Sequence, residues 1–266
     1  MTARAIAIRR HRAASRMWRV LAAVLAFCAG TATATTQEPC RRMTFESDRH
    51  VVCEAPAGSD LRLFLHDGDG AVIGSFATLD AMLASQGQAL AFAMNGGMYH
   101  PDRRPVGLYI EDGAEHARLV TRAGPGNFGL LPNGVFCIAP DRFEIIESRA
   151  FADSPVACRD ATQSGPMLVI DGALHPRFSP DSDSRLIRNG VGVSPDGQTA
   201  YLVISDSAVN FHSFARFFRD VLGTDQALYL DGNRSRLYAP GLGRSDIGLP
   251  MGPILGLVVD VARNPE

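Results

Sequence analysis

The sequence predicts an α+β fold: a single domain with a large mixed β-sheet and a few packed helices. Three observations carry that expectation. Short apolar runs recur along the chain and are separated by Gly, Pro and Asp, the signature of strands and tight turns. Only two stretches show the 3.6-residue apolar period of a helix. No internal repeat or low-complexity linker divides residues 35–266, so they read as one domain.

The first 34 residues are set apart from the rest. Arg4, Arg9, Arg10, Arg12, Arg16 and Arg19 lead into the apolar run "VLAAVLAFCAG" and then into small residues, "TATAT". That is the layout of a secretory signal peptide, and an apolar run of about a dozen residues falls short of the roughly 20 that span a bilayer. Cleavage is expected near Ala34, leaving a periplasmic or secreted domain with no membrane insertion. The signal carries 6 of the 26 basic residues and no acidic one, so the mature chain holds 20 basic against 28 acidic residues, a net charge of −8. Such a balance argues against nonspecific nucleic-acid binding. Every basic residue is Arg. Schiff-base chemistry and the Walker phosphate loop, which both need Lys, are therefore excluded.

Taken in order, the strand-like runs are "HVVCEA", "LRLFLH", "AVIGSF", "ALAFAM", "VGLYIE", "GVFCIA", "FEIIES", "PMLVID", "GVGVS", "TAYLVIS", "ALYL" and "ILGLVVDV". The first helix is expected over "TLDAMLASQ", with Thr78 as N-cap and Asp80 in the first turn. The second is "FHSFARFFRDVLG", whose Phe214, Phe217, Phe218, Val221 and Leu222 form one apolar face before Gly223. Those phenylalanines read as core rather than as a ligand platform.

Four cysteines remain once Cys28 leaves with the signal, and an even count in an exported chain reads as disulfides. Three pairings are possible. Cys40 with Cys53 and Cys137 with Cys158 are favoured, because each pair flanks short strand-like segments that could return as neighbours. A metal site is not expected, since no pair has the tight spacing of a zinc knuckle.

Several familiar patterns fail in context. "GPGNFG" at residues 124–129 matches a dinucleotide fingerprint, but Pro125 and Pro132 deny it the helix that should receive the phosphates. "DGDG" at residues 67–70 lacks the later ligands of a calcium loop and reads as a hairpin turn. No nucleophile elbow or zinc-protease motif is present, and His100, His175 and His212 read as solvated or structurally satisfied. What recurs is an apolar strand that delivers a hydrogen-bonding residue into a glycine-rich turn. "ALAFAM" ends in Asn95, Gly96 and Gly97, and "ALYL" ends in Asp231 and Gly232. Singly, each is the commonest kind of hairpin dipeptide.

Together, "NGGMYHPDRRPVGLYIEDG", "GNFGLLPNGVF", "ATQSGPMLVIDGALHPRF", "RLIRNGVGVSPDG", "VNFHSFARFFRDVLG" and "ALYLDGNRSRLY" resemble, in order, the phosphodiester glycosidase domain shared by many bacterial exported proteins and an animal enzyme. The resemblance runs from about Leu61 onward. "LDGNRS" stands where the animal branch has "LDGGGS". The resemblance implies cleavage of the sugar C1–O bond of a glycosyl phosphodiester, small or part of an envelope glycan, to free sugar and a phosphomonoester.

Such a reaction needs a carboxylate beside an oxocarbenium-like centre and cationic donors for a leaving phosphate that requires little protonation. Asp231 is the candidate carboxylate and Asp206 a possible second. Arg188 and Arg236 are candidate phosphate clamps. Asn95, with Gly96, Gly97 and Gly165, would orient the substrate, and Ser164, Asn189, Gly232, Asn233 and Ser235 complete the expected site. No cofactor or metal is expected. The alternative is an exported module that binds envelope glycans or glycosyl phosphates without turnover. At the level of residues, Asp231 would then cap its own turn and the arginines would belong to a structural ion network.

Overall fold

Strand pairing, more than strand content, sets the architecture. The computed structural model describes residues 38–232 and 235–261; the signal segment, Cys28 and Asn233 lie outside the described residues. A seven-stranded sheet runs in the order Cys40–Phe45, Asp48–Pro56, Thr199–Ser205, Asn189–Val193, Gln226–Asp231, Met167–Ile170, Ala173–Leu174. A five-stranded sheet follows the order Arg244–Ser245, Leu237–Ala239, Gln88–Asn95, Ile254–Asp260, Leu61–Phe64. The third, also five-stranded, is Ala114–Ala117, Tyr109–Glu111, Asp160–Ser164, Gly134–Ile138, Phe143–Glu147.

The expectation of one large mixed sheet is corrected here. Among the described residues the fold is mostly β, with three antiparallel sheets and a few short helices. The short apolar runs announced strands but not their partners. Leu202 faces Cys53, and Leu255 faces Met94, across separations far longer than a hairpin. Register of this kind is set by which faces can be buried together, which local sequence does not state.

Alternation along the strands explains how the layers close. In Gln226–Asp231, Leu228 and Leu230 point into a central core with Phe92, Met94, Leu255 and Phe136 from the other two sheets. Ala227 and Tyr229 point to the opposite face, against Phe214, Phe217 and Phe218. Those phenylalanines are fully buried, as their spacing predicted, and burying each contributes about 2–3 kcal/mol. Their helix, Phe211–Arg216, is capped by Asn210, whose side chain accepts from Ser213 N–H, and it continues as a π-turn over Phe217–Val221. Gly190 and Gly192 make this packing possible: a Cβ at Gly192 would lie 2.7 Å from the Phe218 ring, and one at Gly190 would lie 3.3 Å from that of Phe214.

The other helix, Phe76–Ala84, covers the outer face of the second sheet through Phe76, Leu79 and Leu83. It starts three residues earlier than the sequence suggested. Ser75, not Thr78, is the N-cap and accepts from Thr78 N–H at 3.0 Å. Asp80 instead accepts from Leu90 N–H and Tyr238 O–H, tying the helix to the sheet it covers. The "DGDG" stretch is a turn, closed by the His66–Val72 bridge and the Asp67 N–H to Ala71 carbonyl bond.

Both favoured disulfides are present, Cys40–Cys53 and Cys137–Cys158. The first joins directly opposed residues of the first two strands. The second ties the Gly134–Ile138 strand to the segment leading into Asp160–Ser164. Closing loops of 13 and 21 residues stabilises the fold by about 3 kcal/mol each. Replacing Cys137 and Cys158 together by Ala should therefore lower the unfolding free energy by about 3 kcal/mol in urea titrations. Intact-mass analysis of the wild-type domain should find no alkylatable thiol before reduction.

His50 carries a second consequence. It is fully buried, stacked on Phe217 with ring centroids 4.1 Å apart, and neither ring nitrogen has a hydrogen-bond partner among the described residues. Burial pulls its pKa down from 6.5 to about 4, against the opposing charges of Asp48 and Asp206. Above pH 6.5 the ring is neutral in both folded and unfolded chains and contributes no pH dependence. As pH falls below 6.5 the unfolded chain takes the proton first, so stability is lost down to about pH 4. This group alone should cost about 3 kcal/mol between pH 7 and pH 4. Urea unfolding of the wild type and His50→Leu at both pH values checks it: the difference in stability between the two proteins should shift by that amount in favour of the variant at low pH.

Candidate active site

Ends of strands from all three sheets meet at one point. Asn95 closes Gln88–Asn95, Asn189 opens Asn189–Val193, Asp231 closes Gln226–Asp231 and Ser164 closes Asp160–Ser164. Asn189 and Asp231 are paired across the first sheet, and the next pairing is Gly190 with Tyr229, so Leu230 is an extra residue at a bulge. The carbonyl of Leu230 accepts from Ser164 Oγ at 3.1 Å, which joins the third sheet to the end of this strand.

Asn95 is the centre of the cluster and is fully buried. Its Nδ2 lies 3.5 Å from Asp231 Oδ2, its Oδ1 accepts from Arg236 N–H at 2.8 Å, and its backbone carbonyl accepts from Asn189 Nδ2 at 3.0 Å. Ser235 Oγ donates to the Asp231 carbonyl at 2.8 Å and lies 3.2 Å from Asn189 Oδ1. Asp231 Oδ1 accepts from Gly232 N–H at 2.6 Å. The Asp231 carboxylate is thus bordered by donors while 9% of the residue stays exposed.

Beneath this cluster lies Arg188, whose side chain is fully buried. Its Nε donates to the Val209 carbonyl and its Nη2 to the Ser184 carbonyl, each at 2.9 Å, and the guanidinium carbon sits 3.8 Å from the centre of the Phe211 ring. Nη1 lies 3.4 Å from Tyr229 Oη. No carboxylate forms an ion pair with it among the described residues. Burial lowers its pKa, with the neighbouring Tyr229 opposing, yet a guanidinium remains charged. Tyr229 is pushed up to about 12, first by burial and then by the charge of Asp231, with Arg188 opposing. A Cβ on Gly232 would fall 2.0 Å from Tyr229 Oη and 3.4 Å from Arg188 Nη1, so only glycine lets the chain pass over the phenol.

A cleft of about 550 Å³ opens beside these residues, lined by Gly232, Ser235, Arg236, Arg244, Ile247 and Leu249 among others. The Arg236 guanidinium lies under the 246–250 segment and donates to the Leu249 carbonyl. Arg244 is held by Asp246 and by Asp206, the latter at 2.6 Å. Burial lowers its pKa, and the two carboxylates more than offset that, so the net shift is upward. Asp206 is thus placed as a counterion of the cleft wall. A groove of about 510 Å³ bordered by Arg142, Glu144, Asp171 and Asp225 shares no residue with the cleft and holds none of the sequence-derived candidates.

The remaining candidates are brought to the cluster, but their glycines are occupied by packing. A Cβ at Gly96 would meet Leu63 at 2.9 Å, one at Gly97 would meet Thr162 Oγ1 at 2.6 Å, and one at Gly165 would meet Asn133 at 2.6 Å. Gly97 also has φ of +143°. These positions let the sheets approach one another, so close approach of protein, rather than of ligand, accounts for them. Sequence reasoning missed Tyr229 and Arg244. A tyrosine two residues before Asp231 in an otherwise aliphatic strand was a legible signal for the first. Nothing in "GLGRSDIG" marks the second, because its role depends on Asp206, 38 residues away.

The family model described as phosphodiester glycosidase matches residues 88–247, which include all of the cluster. The Escherichia coli (strain K12) protein named "Uncharacterized protein YigE" is 39% identical over 186 residues, covering 70% of this chain and 72% of that protein. Among solved structures, the catalytic domain of zebrafish N-acetylglucosamine-1-phosphodiester alpha-N-acetylglucosaminidase, auto-inhibited by its pro-peptide, superposes with a TM-score of 0.56 at 15% identity over 82% of this chain and 81% of that one. A Burkholderia pseudomallei protein inferred to be exported gives a TM-score of 0.52 at 12% identity, over 79% and 74% of the two chains. At such identities the two structures attest the fold, while the family match and the E. coli relative carry the assignment. The chain belongs to the phosphodiester glycosidase family.

Proposed function

We propose that the protein is an exported hydrolase that cleaves the sugar C1–O bond of a glycosyl phosphodiester. Water adds to C1, the bond from C1 to the phosphate oxygen breaks, and free sugar and a phosphomonoester leave. The observation that carries this reading is the convergence of Asn95, Asn189, Asp231 and Ser235 beside an arginine-bearing cleft, in a chain of this family. Two disulfides and the exported relative support a periplasmic or secreted location, and among the described residues no helix is long and apolar enough to cross a membrane.

Asp231 supplies the negative charge that stabilises the cationic sugar centre. Asn95 and Gly232 N–H hold its two oxygens in place, so little reorganisation is needed as charge develops. Arg236 is the direct phosphate donor, reached from the cleft through the side chain that now binds the Leu249 carbonyl. Arg188 contributes from below: its charge acts through Tyr229 and Gly232 rather than by gripping the phosphate, because its donors already serve Val209 and Ser184. Asn189, Ser235 and Ser164 orient the strands and the sugar hydroxyls. Asp206 acts on the cleft through Arg244.

Turnover is tested with a panel of hexose and N-acetylhexosamine 1-phosphate methyl diesters, reading free reducing sugar. Asp231→Asn should fold like the wild type by circular dichroism and thermal unfolding, yet turn over its best substrate at least about a hundredfold more slowly. Near-native turnover by a folded Asp231→Asn protein would remove the carboxylate from the mechanism. Arg236→Ala should raise KM and lower kcat together, since a phosphate donor holds the bound ester and stabilises the charge growing on the leaving phosphate more strongly still. A change in KM alone would demote Arg236 to a binding contact, and binding by the wild type without any sugar release would favour the glycan-binding alternative.

A further inference from the structure

The cleft combines apolar side chains with arginines. Ile247 is 92% exposed, Leu249 62% and Ile187 37%, and all three line it. Arg236 and Arg244 line the same cleft, the latter paired with Asp246 and Asp206. The exposure is not that of a loose loop end. Asp246 is anchored by Arg244, accepts from Leu237 N–H at 2.9 Å and donates its own N–H to the Leu237 carbonyl at 3.1 Å. Leu249 is held through its carbonyl by Arg236, and Met251 N–H binds the Gly74 carbonyl at 2.8 Å. A segment pinned at both ends that holds two large aliphatic side chains in solvent, at the mouth of a polar cleft, keeps an apolar surface available at a constant cost in hydration.

Arg236 makes no ion pair among the described residues, so the cleft offers an anion a donor that no carboxylate already neutralises. From this pairing of charge with apolar rim we infer that the cleft takes an amphiphilic phosphodiester, one whose alcohol component is a long aliphatic or isoprenoid chain lying across Ile187, Ile247 and Leu249 while its phosphate meets Arg236. The inference rests on reading the cleft as the glycosyl phosphodiester site, and it adds the chemical class of the group esterified to the phosphate. Water-soluble polyol esters would gain nothing from these side chains. An alkyl chain would cover them and gain about tenfold in affinity for every two methylenes buried.

The experiment is calorimetric binding of methyl phosphate and decyl phosphate to the mature protein, below the concentration at which decyl phosphate forms micelles. Decyl phosphate should bind at least about tenfold more tightly. In the double variant Ile247→Ser, Leu249→Ser the ratio of the two affinities should fall towards one. Both side chains are exposed, and Leu249 keeps its carbonyl for Arg236, so the variant should retain the wild-type unfolding temperature. Equal affinities in the wild type, absence of binding by either phosphate, or an undiminished ratio in the double variant would overturn the inference. Co-sedimentation of the wild type with phosphatidylcholine vesicles, lost in the variant and unaccompanied by any preference for monomeric decyl phosphate, would also overturn it and make the rim a membrane contact. Binding is read apart from turnover: a decyl preference without sugar release from either the methyl diester panel or the matching decyl diesters would sink the hydrolase reading and leave the amphiphile site standing.

Discussion

The buried amide of Asn95 is the constraint around which the site is organised. An amide carries two donors and two acceptor lone pairs, and removing it from water is tolerable only when they find partners. Here they face Asp231 and the Arg236 backbone, while the carbonyl of the same residue takes Asn189. Those partners belong to the first sheet and to the segment that follows it, whereas Asn95 belongs to the second. One residue therefore aligns two sheets and sets the position of the carboxylate between them. Ser164 adds the third sheet through the Leu230 carbonyl. The bulge at Leu230 matters for the same reason: it changes the register of the last residues of the strand, so that Asp231 pairs with Asn189 instead of continuing the aliphatic alternation.

Electrostatics around this node are layered. Among the described residues Asp231 takes donors from Asn95 and the Gly232 backbone, and a buried guanidinium, Arg188, lies within reach of the same tyrosine that underlies Gly232. Backbone carbonyls and the Phe211 ring stabilise Arg188 without cancelling its charge, as a carboxylate would. On the cleft wall the opposite solution is used, with Arg244 shared by Asp206 and Asp246. The inner cation can therefore influence a ligand's charge through low-dielectric protein, whereas the outer one mainly holds the 246–250 segment in place.

Much of this protein was legible before any coordinates. Period-2 runs located most strands, the phenylalanine spacing identified the packed face of the Phe211–Arg216 helix, and Asp67–Gly70 announced its turn. The paired cysteines followed from strands expected to return as neighbours. Asn95, Gly165, Arg188 and Asp231 were expected in one site, with Asn189 and Ser235 beside them, because strand-end polar residues next to glycine repeated in an order that resembled a family. Gly97 and Gly165 were expected to help orient a substrate, yet the space beside them is taken by Thr162 and Asn133, neighbours that chain order does not reveal.

The sequence by itself determined the local states, because backbone propensity, side-chain period and turn chemistry act over a few residues. It also determined family membership, because ordered motifs are a property of the chain alone. Only the tertiary structure decided that the strands form three antiparallel sheets, that Arg188 lies buried under Tyr229 and Gly232, and that Asp206 is a counterion of Arg244. These outcomes depend on partners brought together from distant parts of the chain, where burial and pairing decide whether a charged side chain faces a ligand, a carboxylate or an aromatic ring.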